Sequence, residues 1–380
     1  MKIKPVKTAV IGAGMISDAY YENLKNTFSI IDFVGCSDMV DEKAERQAEK
    51  YGIKKMTNEE ILSDPEIELV INLTYPTAHF EVSKQILLAG KHCYSEKMIA
   101  VTPEEAEELN RIRLEKNVMF AVAPDTFLGA SQQTARYIVD KGLIGTPLQA
   151  VVHLSRGYFM IKSDEDDAKR KYSVMAEGGG IPYDMGGYYL NELFNIFGNV
   201  NRVCGFTKTN NQTRPYLNPR HSKFNDDFFV NTINTISATL EFECGLLCNF
   251  SMSSDYNTPR HIFEVYGTEG RLILADPNNF GDSVYLQKGS GEAFEFPLSH
   301  PYKEQSRGIG AADMAWALRC GRKPRLSAEM GLAAFEIINA VKDCTEDNCV
   351  KIIKNKFEKP APISSEFYGG ASEERNLFLV

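Results

Sequence analysis

The 380-residue chain lacks any apolar run long enough to cross a bilayer. Stretches such as Leu69-Val70-Ile71 fall far short of the roughly 18 residues a spanning helix needs, so no membrane partner is expected. The first eight residues hold three lysines and run straight into Ala9-Val10-Ile11-Gly12. With no separate apolar core or cleavage site, no signal peptide is expected. Positive charge is also scarce, 42 basic against 51 acidic residues for a net charge of −9. That balance argues against phosphate-backbone binding and a nucleic-acid partner. No CxxC occurs among the eight cysteines, and the Cys244/Cys248 and Cys344/Cys349 pairs have no histidine nearby. A metal site is therefore not expected, and free, mostly buried thiols in a reducing cytoplasm are.

What is present is ordinary globular composition, 43% hydrophobic and 24% charged, on a chain long enough for two domains. No internal repeat or low-complexity tract interrupts it. Up to about residue 123, short β-type runs alternate with helical patterns. Strands are expected at Val6–Ile11, Ile31–Ser37, Leu69–Leu73, Lys91–Ser95 and Val118–Val122. Helices are expected at Met15–Asn26, Asp41–Tyr51, Asn58–Leu62, Ala78–Leu88 and Pro103–Lys116. Strands apolar on both faces and separated by helices imply a parallel sheet, an α/β domain over 1–123. From 124 to 380 the character changes to alternating strands with three helices, at Pro182–Phe197, Ser306–Cys320 and Ala328–Asp343. That predicts an α+β domain with a largely antiparallel open sheet and helices on one face. Lys351–Val380 reads as extended and irregular.

The first strand runs into Gly12-Ala13-Gly14-Met15-Ile16-Ser17, a GxGxxG turn with serine in the last place. Gly12 permits the tight turn, Gly14 lets backbone approach a pyrophosphate, and the helix opening at Met15 and Ile16 offers free N–H groups. Asp38, at the end of the second strand, suits the ribose hydroxyls of an adenosine. Its charge repels a 2′-phosphate and no arginine follows it, so the expected cofactor is NAD rather than NADP.

KHCYSEKMIAVTPEEAEEL at Lys91–Leu109, the Gly12 turn and Thr74-Tyr75-Pro76-Thr77-Ala78-His79 together resemble the Gfo/Idh/MocA oxidoreductases. Gly142-Leu-Ile-Gly145, Gly178-Gly-Gly180 and Val265-Tyr-Gly-Thr-Glu-Gly270 follow in the same order, so the resemblance covers essentially the whole chain. It implies a Rossmann domain followed by an open α+β substrate domain. The family's Glu-Lys-Pro matches Glu96-Lys97-Met98, with the proline replaced. Its Asp…His…polar signature matches Asp184, Tyr188 and Asn191, with tyrosine for histidine. This is similar to the branch that includes glucose–fructose oxidoreductase and dihydrodiol dehydrogenase.

The resemblance implies that Lys97, Asp184 and Tyr188 are catalytic. Thr74, His79, Glu96 and Lys97 would join Gly12, Gly14, Met15, Ile16 and Asp38 at the cofactor. Lys97, Asp125, Arg156, Tyr158, Asp184, Tyr188 and Asn191 would face the substrate. At 100° per residue, Asp184, Tyr188 and Asn191 share a helix face within about 60°, whereas Tyr189 lies off it. An ordinary tyrosine gives up its proton near pH ~10, so a base at neutral pH needs a cation beside it. Motif order offers only Lys97. Alternation puts Arg156 and Tyr158 on one face of their strand without saying which. The expected activity is NAD-dependent oxidation of a secondary alcohol of a sugar, glycoside or cyclitol, C3 of a glucoside included. An NAD-retaining glycoside-cleaving enzyme and a non-catalytic NAD-binding regulator are the alternatives. An open apolar sheet face and family habit imply a homo-oligomer, dimer or tetramer.

Overall fold

A computed structural model describes residues 3–156, 164, 178–210, 212–216, 218–255 and 258–365. Two sheets organise it. The first has the order β3-β2-β1-β4-β5-β6 with every pair parallel. Its strands are β1 Val6–Ile11, β2 Ile31–Ser37, β3 Lys54–Lys55, β4 Leu69–Asn72, β5 His92–Ser95 and β6 Phe120–Val122. The strand order reverses between β1 and β4, and in such sheets ligands bind at that reversal, beyond the carboxyl ends of the strands. Helices α1 Ser17–Asn26, α2 Asp41–Tyr51, α3 Asn58–Ser63, α4 Pro76–Leu88 and α5 Pro103–Lys116 form the crossovers. Thr102 and Glu105 make a capping box at the start of α5, followed at once by Pro103, which is why that boundary is sharp.

Helix α6, Ala130–Asp140, follows and was not anticipated. The second sheet has the order β16-β15-β14-β13-β7-β12-β11-β8-β17. At its centre β7, Pro147–Ser155, pairs antiparallel with β13, Arg260–Gly267, and parallel with β12, Leu247–Ser253. Its other strands are β8 Val200–Lys208, β11 Thr235–Phe242, β14 Gly270–Ile273, β15 Val284–Lys288, β16 Phe294–Phe296 and β17 Lys351–Ile352. A short separate hairpin, β9 Thr213–Pro215 with β10 Asp227–Phe229, was also unforeseen.

Helices α7 Ile181–Phe197 and α9 Ala328–Asp347 cover one face, where Val152, Leu240, Phe250 and Phe263 are buried. The other face is not the continuous apolar surface expected. Alternation gives it Ser237, Thr239, Asn249 and Ser251 in the middle, with exposed Phe206, Leu247 and Tyr266 toward its margins. Four cysteines, Cys204, Cys244, Cys320 and Cys349, are exposed and four are buried, so the expectation of mostly buried thiols is corrected.

The segment after β17 is extended yet anchored. Arg136 donates to the Pro360 carbonyl, Arg325 to those of Ala361 and Pro362, and Ile363 is held between Gln133 and His300. Residues 366–380 lie outside the described part. No helix among the described residues is long and apolar enough to cross a membrane.

Candidate active site

Gly12 sits at φ +113°, and a Cβ there would stand 2.6 Å from the Leu73 carbonyl carbon. Only glycine lets β1 turn this close to the end of β4. A Cβ on Gly14, by contrast, would meet nothing within 4 Å. The turn therefore leaves open space where a diphosphate must approach. Met15 beside it is 73% exposed, and Ile16, at the N-cap of α1, supplies no side-chain cap for its amides. Ser17, in place of the third glycine, is buried and donates its hydroxyl to the Gly14 carbonyl.

Asp38 accepts from the Ala13 amide at 2.7 Å and the Val40 amide at 2.8 Å. One carboxylate thus fixes the glycine turn and keeps lone pairs to spare for two hydroxyls. These features fit a bound dinucleotide. Asp38→Ala should weaken NAD binding and narrow the gap to NADP, because both a turn bond and a repelling charge are lost. Calorimetric titration with both cofactors checks this, and tighter NADP binding by the unaltered protein would sink the assignment.

Lys97 lies two residues past β5, at the carboxyl edge of the sheet. Its Nζ is 2.8 Å from both the main-chain oxygen and Oδ1 of Asp184, in the first turn of α7. It also lies 5.5 Å from the ring centre of Tyr188, one turn on. Burial works against the ammonium, but Asp184, Tyr188 and Glu96 outweigh it and hold Lys97 above the ordinary lysine value. Lys97, Asp184 and Tyr188 are therefore brought together, with Tyr188 only 7% exposed.

Other expected contacts turn out differently. Asn191 shares the face of Asp184 and Tyr188 but lies deeper, 2% exposed, and donates to the Pro124 carbonyl at 2.9 Å. Its amide nitrogen pins α7 to the segment after β6, while its Oδ1 has no hydrogen-bond partner among the described residues. Asp125, expected to face the substrate, is buried and accepts from the amides of Gly308 and Gly310. It caps helix α8, Ile309–Cys320, and burial pushes its carboxyl up against those bonds and the Arg307 charge.

His79 is buried too, its ring nitrogens facing the carbonyls of Met98 at 2.9 Å and Thr74 at 3.0 Å. It braces the two loops that carry Thr74 and Met98. Glu96 accepts from the Tyr20 hydroxyl and the Lys97 amide, so both its oxygens serve the chain. Thr74 does stand beside Gly12, its hydroxyl donating to Asn72.

Arg156 continues the register of Val152 and Leu154, which face α7, and pairs with Asp276 at 3.4 Å. Tyr158 lies outside the described residues. His221 is buried and stacks on Tyr216 with ring centres 4.1 Å apart.

Arg307 was missed. Its guanidinium donates to the Asn278 side chain at 2.6 Å, and although burial works against its charge, Tyr188, Tyr20 and Asp125 hold it above the ordinary arginine value. A signal existed. An arginine just before a helix start sits at the positive end of the dipole, an unfavourable place unless an anion is near.

Residues 6–123 match the family "Oxidoreductase family, NAD-binding Rossmann fold", and residues 132–273 match the "GFO/IDH/MocA C-terminal domain". An uncharacterised oxidoreductase of Schizosaccharomyces pombe is 30% identical over 56% of this chain and 57% of its own length. D-xylose dehydrogenase of Paenarthrobacter nicotinovorans is 30% identical over 45% of each chain. The chain thus spans about half the length of the curated relatives it matches. The structure of levoglucosan dehydrogenase complexed with NADH superposes with a TM-score of 0.77 at 18% identity, over 93% of this chain and all of the other. That likeness extends the shared fold across both sheets. With two successive domains of one family matched in order and an NAD-binding Rossmann domain leading, the chain belongs to the Gfo/Idh/MocA oxidoreductases.

Proposed function

We propose that this protein is an NAD-dependent dehydrogenase acting on a secondary alcohol of a sugar, glycoside or cyclitol. The observation that carries the reading is the Lys97–Asp184 pair at 2.8 Å with Tyr188 one helical turn away. Bound NAD supplies the hydride acceptor. The chain's own residues manage the proton. The substrate hydroxyl gives its proton to Tyr188 in its phenolate form, regenerating the phenol, and that O–H electron pair becomes the second bond of the carbonyl. The C–H bond of the same carbon breaks with its two electrons, so alcohol becomes ketone as NAD is reduced. Lys97 holds the reacting hydroxyl and the developing negative charge, and Asp184 holds Lys97 in place. Such groups, half desolvated, favour a polyol and penalise the wrong epimer by leaving polar atoms unpaired. The names of the relatives, which act on xylose and inositol, support this class.

The division of labour falls at residues 123 and 124, cofactor before it and substrate after. Exposed thiols suit a reducing cytoplasm. Phe206, Leu247 and Tyr266 on the open sheet face support a homo-oligomer, and a monomer by light scattering at micromolar concentration overturns that part. NADH formation against a panel of sugars, glycosides and inositols tests the activity. One or a few related polyols should drive it. Release of sugar from a glycoside without net NADH would instead identify a glycoside-cleaving enzyme. NAD binding with no turnover on any member would favour a regulator.

A further inference from the structure

We infer that Tyr20 is a positioning residue for the reaction, acting on Lys97 through Glu96. The inference rests on the role proposed above for Lys97. Tyr20 lies in α1, the helix that opens onto the glycine turn, and its side chain is fully buried. Its hydroxyl donates to Glu96 Oε1 at 2.7 Å. The other carboxylate oxygen, Oε2, accepts from the Lys97 amide at 3.1 Å. Lys97 in turn reaches Asp184 of α7 with two bonds of 2.8 Å. A run of hydrogen bonds thus leads from the helix beside the glycine turn, through the loop after β5, to the helix that carries Tyr188.

The groups along this run are fixed from several sides. Tyr21, the next residue of α1, donates its hydroxyl to the Gly12 carbonyl at 3.1 Å. Neighbouring tyrosines of one helix therefore hold the glycine turn and the lysine loop. The Tyr20 ring packs on Tyr94 of β5 with centroids 6.2 Å apart, and a Cβ on Gly308 would stand 3.5 Å from its edge. The Tyr94 hydroxyl lies 3.5 Å from that of Tyr20. Glu96 is tied down at its own backbone, its amide donating to the Asn72 carbonyl at 2.9 Å and its carbonyl accepting from the Ser95 hydroxyl at 3.1 Å.

Burial, with Glu96 and Tyr94 beside it, pushes the Tyr20 phenol well above its ordinary value, so it stays protonated and serves as a donor. A carboxylate held at both oxygens does not rotate about its last bond. The amide it holds then sets the direction in which the Lys97 side chain leaves the backbone. Removing the Tyr20 hydroxyl frees that rotation and takes a donor from a partly buried carboxylate oxygen. A lysine so displaced meets the reacting hydroxyl out of line, and misplacement of this kind slows a reaction without weakening the cofactor's hold.

The test uses the full-length protein with NAD and the polyol that drives NADH formation fastest in the panel above, comparing Tyr20→Phe, Glu96→Gln and Lys97→Met. Tyr20→Phe keeps the ring and its packing. It should lower kcat about 10-fold, with KM and the calorimetric affinity for NAD within about twofold of wild type. Glu96→Gln keeps an oxygen for Tyr20, loses the acceptor for the Lys97 amide, and should also lower kcat about 10-fold. In the Lys97→Met background, Tyr20→Phe should add less than about twofold, because it acts through that lysine. A merely loosened fold would lower the rate by the same factor in both backgrounds. Reductive methylation with isotope-labelled formaldehyde gives a readout free of turnover. The Lys97 methyl resonance, identified by its loss in Lys97→Met, should move in Tyr20→Phe while those of surface lysines stay. Should Tyr20→Phe fold poorly, Glu96→Gln carries the same comparison. Weaker NAD binding with kcat unmoved, or an undiminished loss in the Lys97→Met background, overturns the inference and makes Glu96 a cofactor contact or Tyr20 a packing group. Wild-type turnover in Lys97→Met instead overturns the underlying reading.

Discussion

Replacing Tyr188 by phenylalanine is expected to lower turnover about 10²–10⁴-fold, the usual worth of a positioned acid–base group, while NAD affinity stays nearly unchanged. The phenylalanine keeps the ring that lies under Lys97 and fills the same volume, so only the hydroxyl is lost. Tyr189→Phe is the matched control. Tyr189 is fully buried, packs on His261 and Phe263, and its hydroxyl has no hydrogen-bond partner among the described residues. Removing a buried hydroxyl without a partner costs little and can stabilise. Steady-state rates on the true substrate and calorimetry with NAD decide both. Wild-type turnover in Tyr188→Phe would move the proton to Asp184 or a water.

Lys97→Met should cost turnover about 10²–10³-fold and also destabilise the fold by about 1–3 kcal/mol. The lysine and aspartate side chains are 19% and 23% exposed, so the loss leaves a largely desolvated carboxylate facing a methionine. Partial solvent access keeps the cost below that of a fully buried pair. The sign of the pH dependence follows from the direction of the shift. A lysine held above its ordinary value contributes fully below pH ~10.5 and loses that contribution as pH rises through the folded-state value. Wild type and variant should therefore differ by a steady amount across neutral pH and converge only in alkali. The pH profile of the remaining activity should move alkaline. Urea unfolding at several pH values checks the first claim. A variant as stable as wild type at pH 7, with turnover within twofold, would contradict both.

Much of the first sheet was legible because its signals are local. Asp41–Tyr51 and Pro103–Lys116 were bounded correctly, the first by the left-handed glycine that ends it, Gly52, the second by its capping box. Helix α6 was invisible for a physical reason. Its buried positions include Ser131, Gln132, Gln133, Thr134 and Arg136, so no apolar stripe marks its inner face. Those side chains bond to the distant segments 279–282, 299 and 360–363, although the Gln132 side-chain oxygen has no partner among the described residues.

The candidate site divides similarly. Lys97, Asp184 and Tyr188 carry a motif and a shared helix face. Asn191 obeys the same periodicity, yet the face turns from cleft to core as α7 passes Pro124, which angles alone do not reveal. The residues in Gly142–Gly145 and Gly267–Gly270 that mark the family proved to pack on each other, with the Glu269 amide bonded to the Ile144 carbonyl. They shape the sheet margin and stay clear of the Lys97 cleft. Arg307 and Asn278 bear no local mark, since the contact between them is set by tertiary folding.

The order of emergence during synthesis follows from the Arg307 segment. From position 97 to position 307 is 210 residues, so at roughly 5–20 residues per second some 10–40 s separate the two cations at the ribosome. The first sheet is complete at Val122 and can fold early in that interval. Tyr20, Leu24 and Phe28, whose side chains a Cβ on Gly308 would meet within 3.6 Å, then lie uncovered on one side of α1. Asn23 likewise waits for the carbonyls of Gln305 and Arg307. A nascent chain paused before residue 305 should thus present a folded dinucleotide half with a sticky aromatic stripe. That stripe is the natural hold for a chaperone, and the place where truncated products would aggregate.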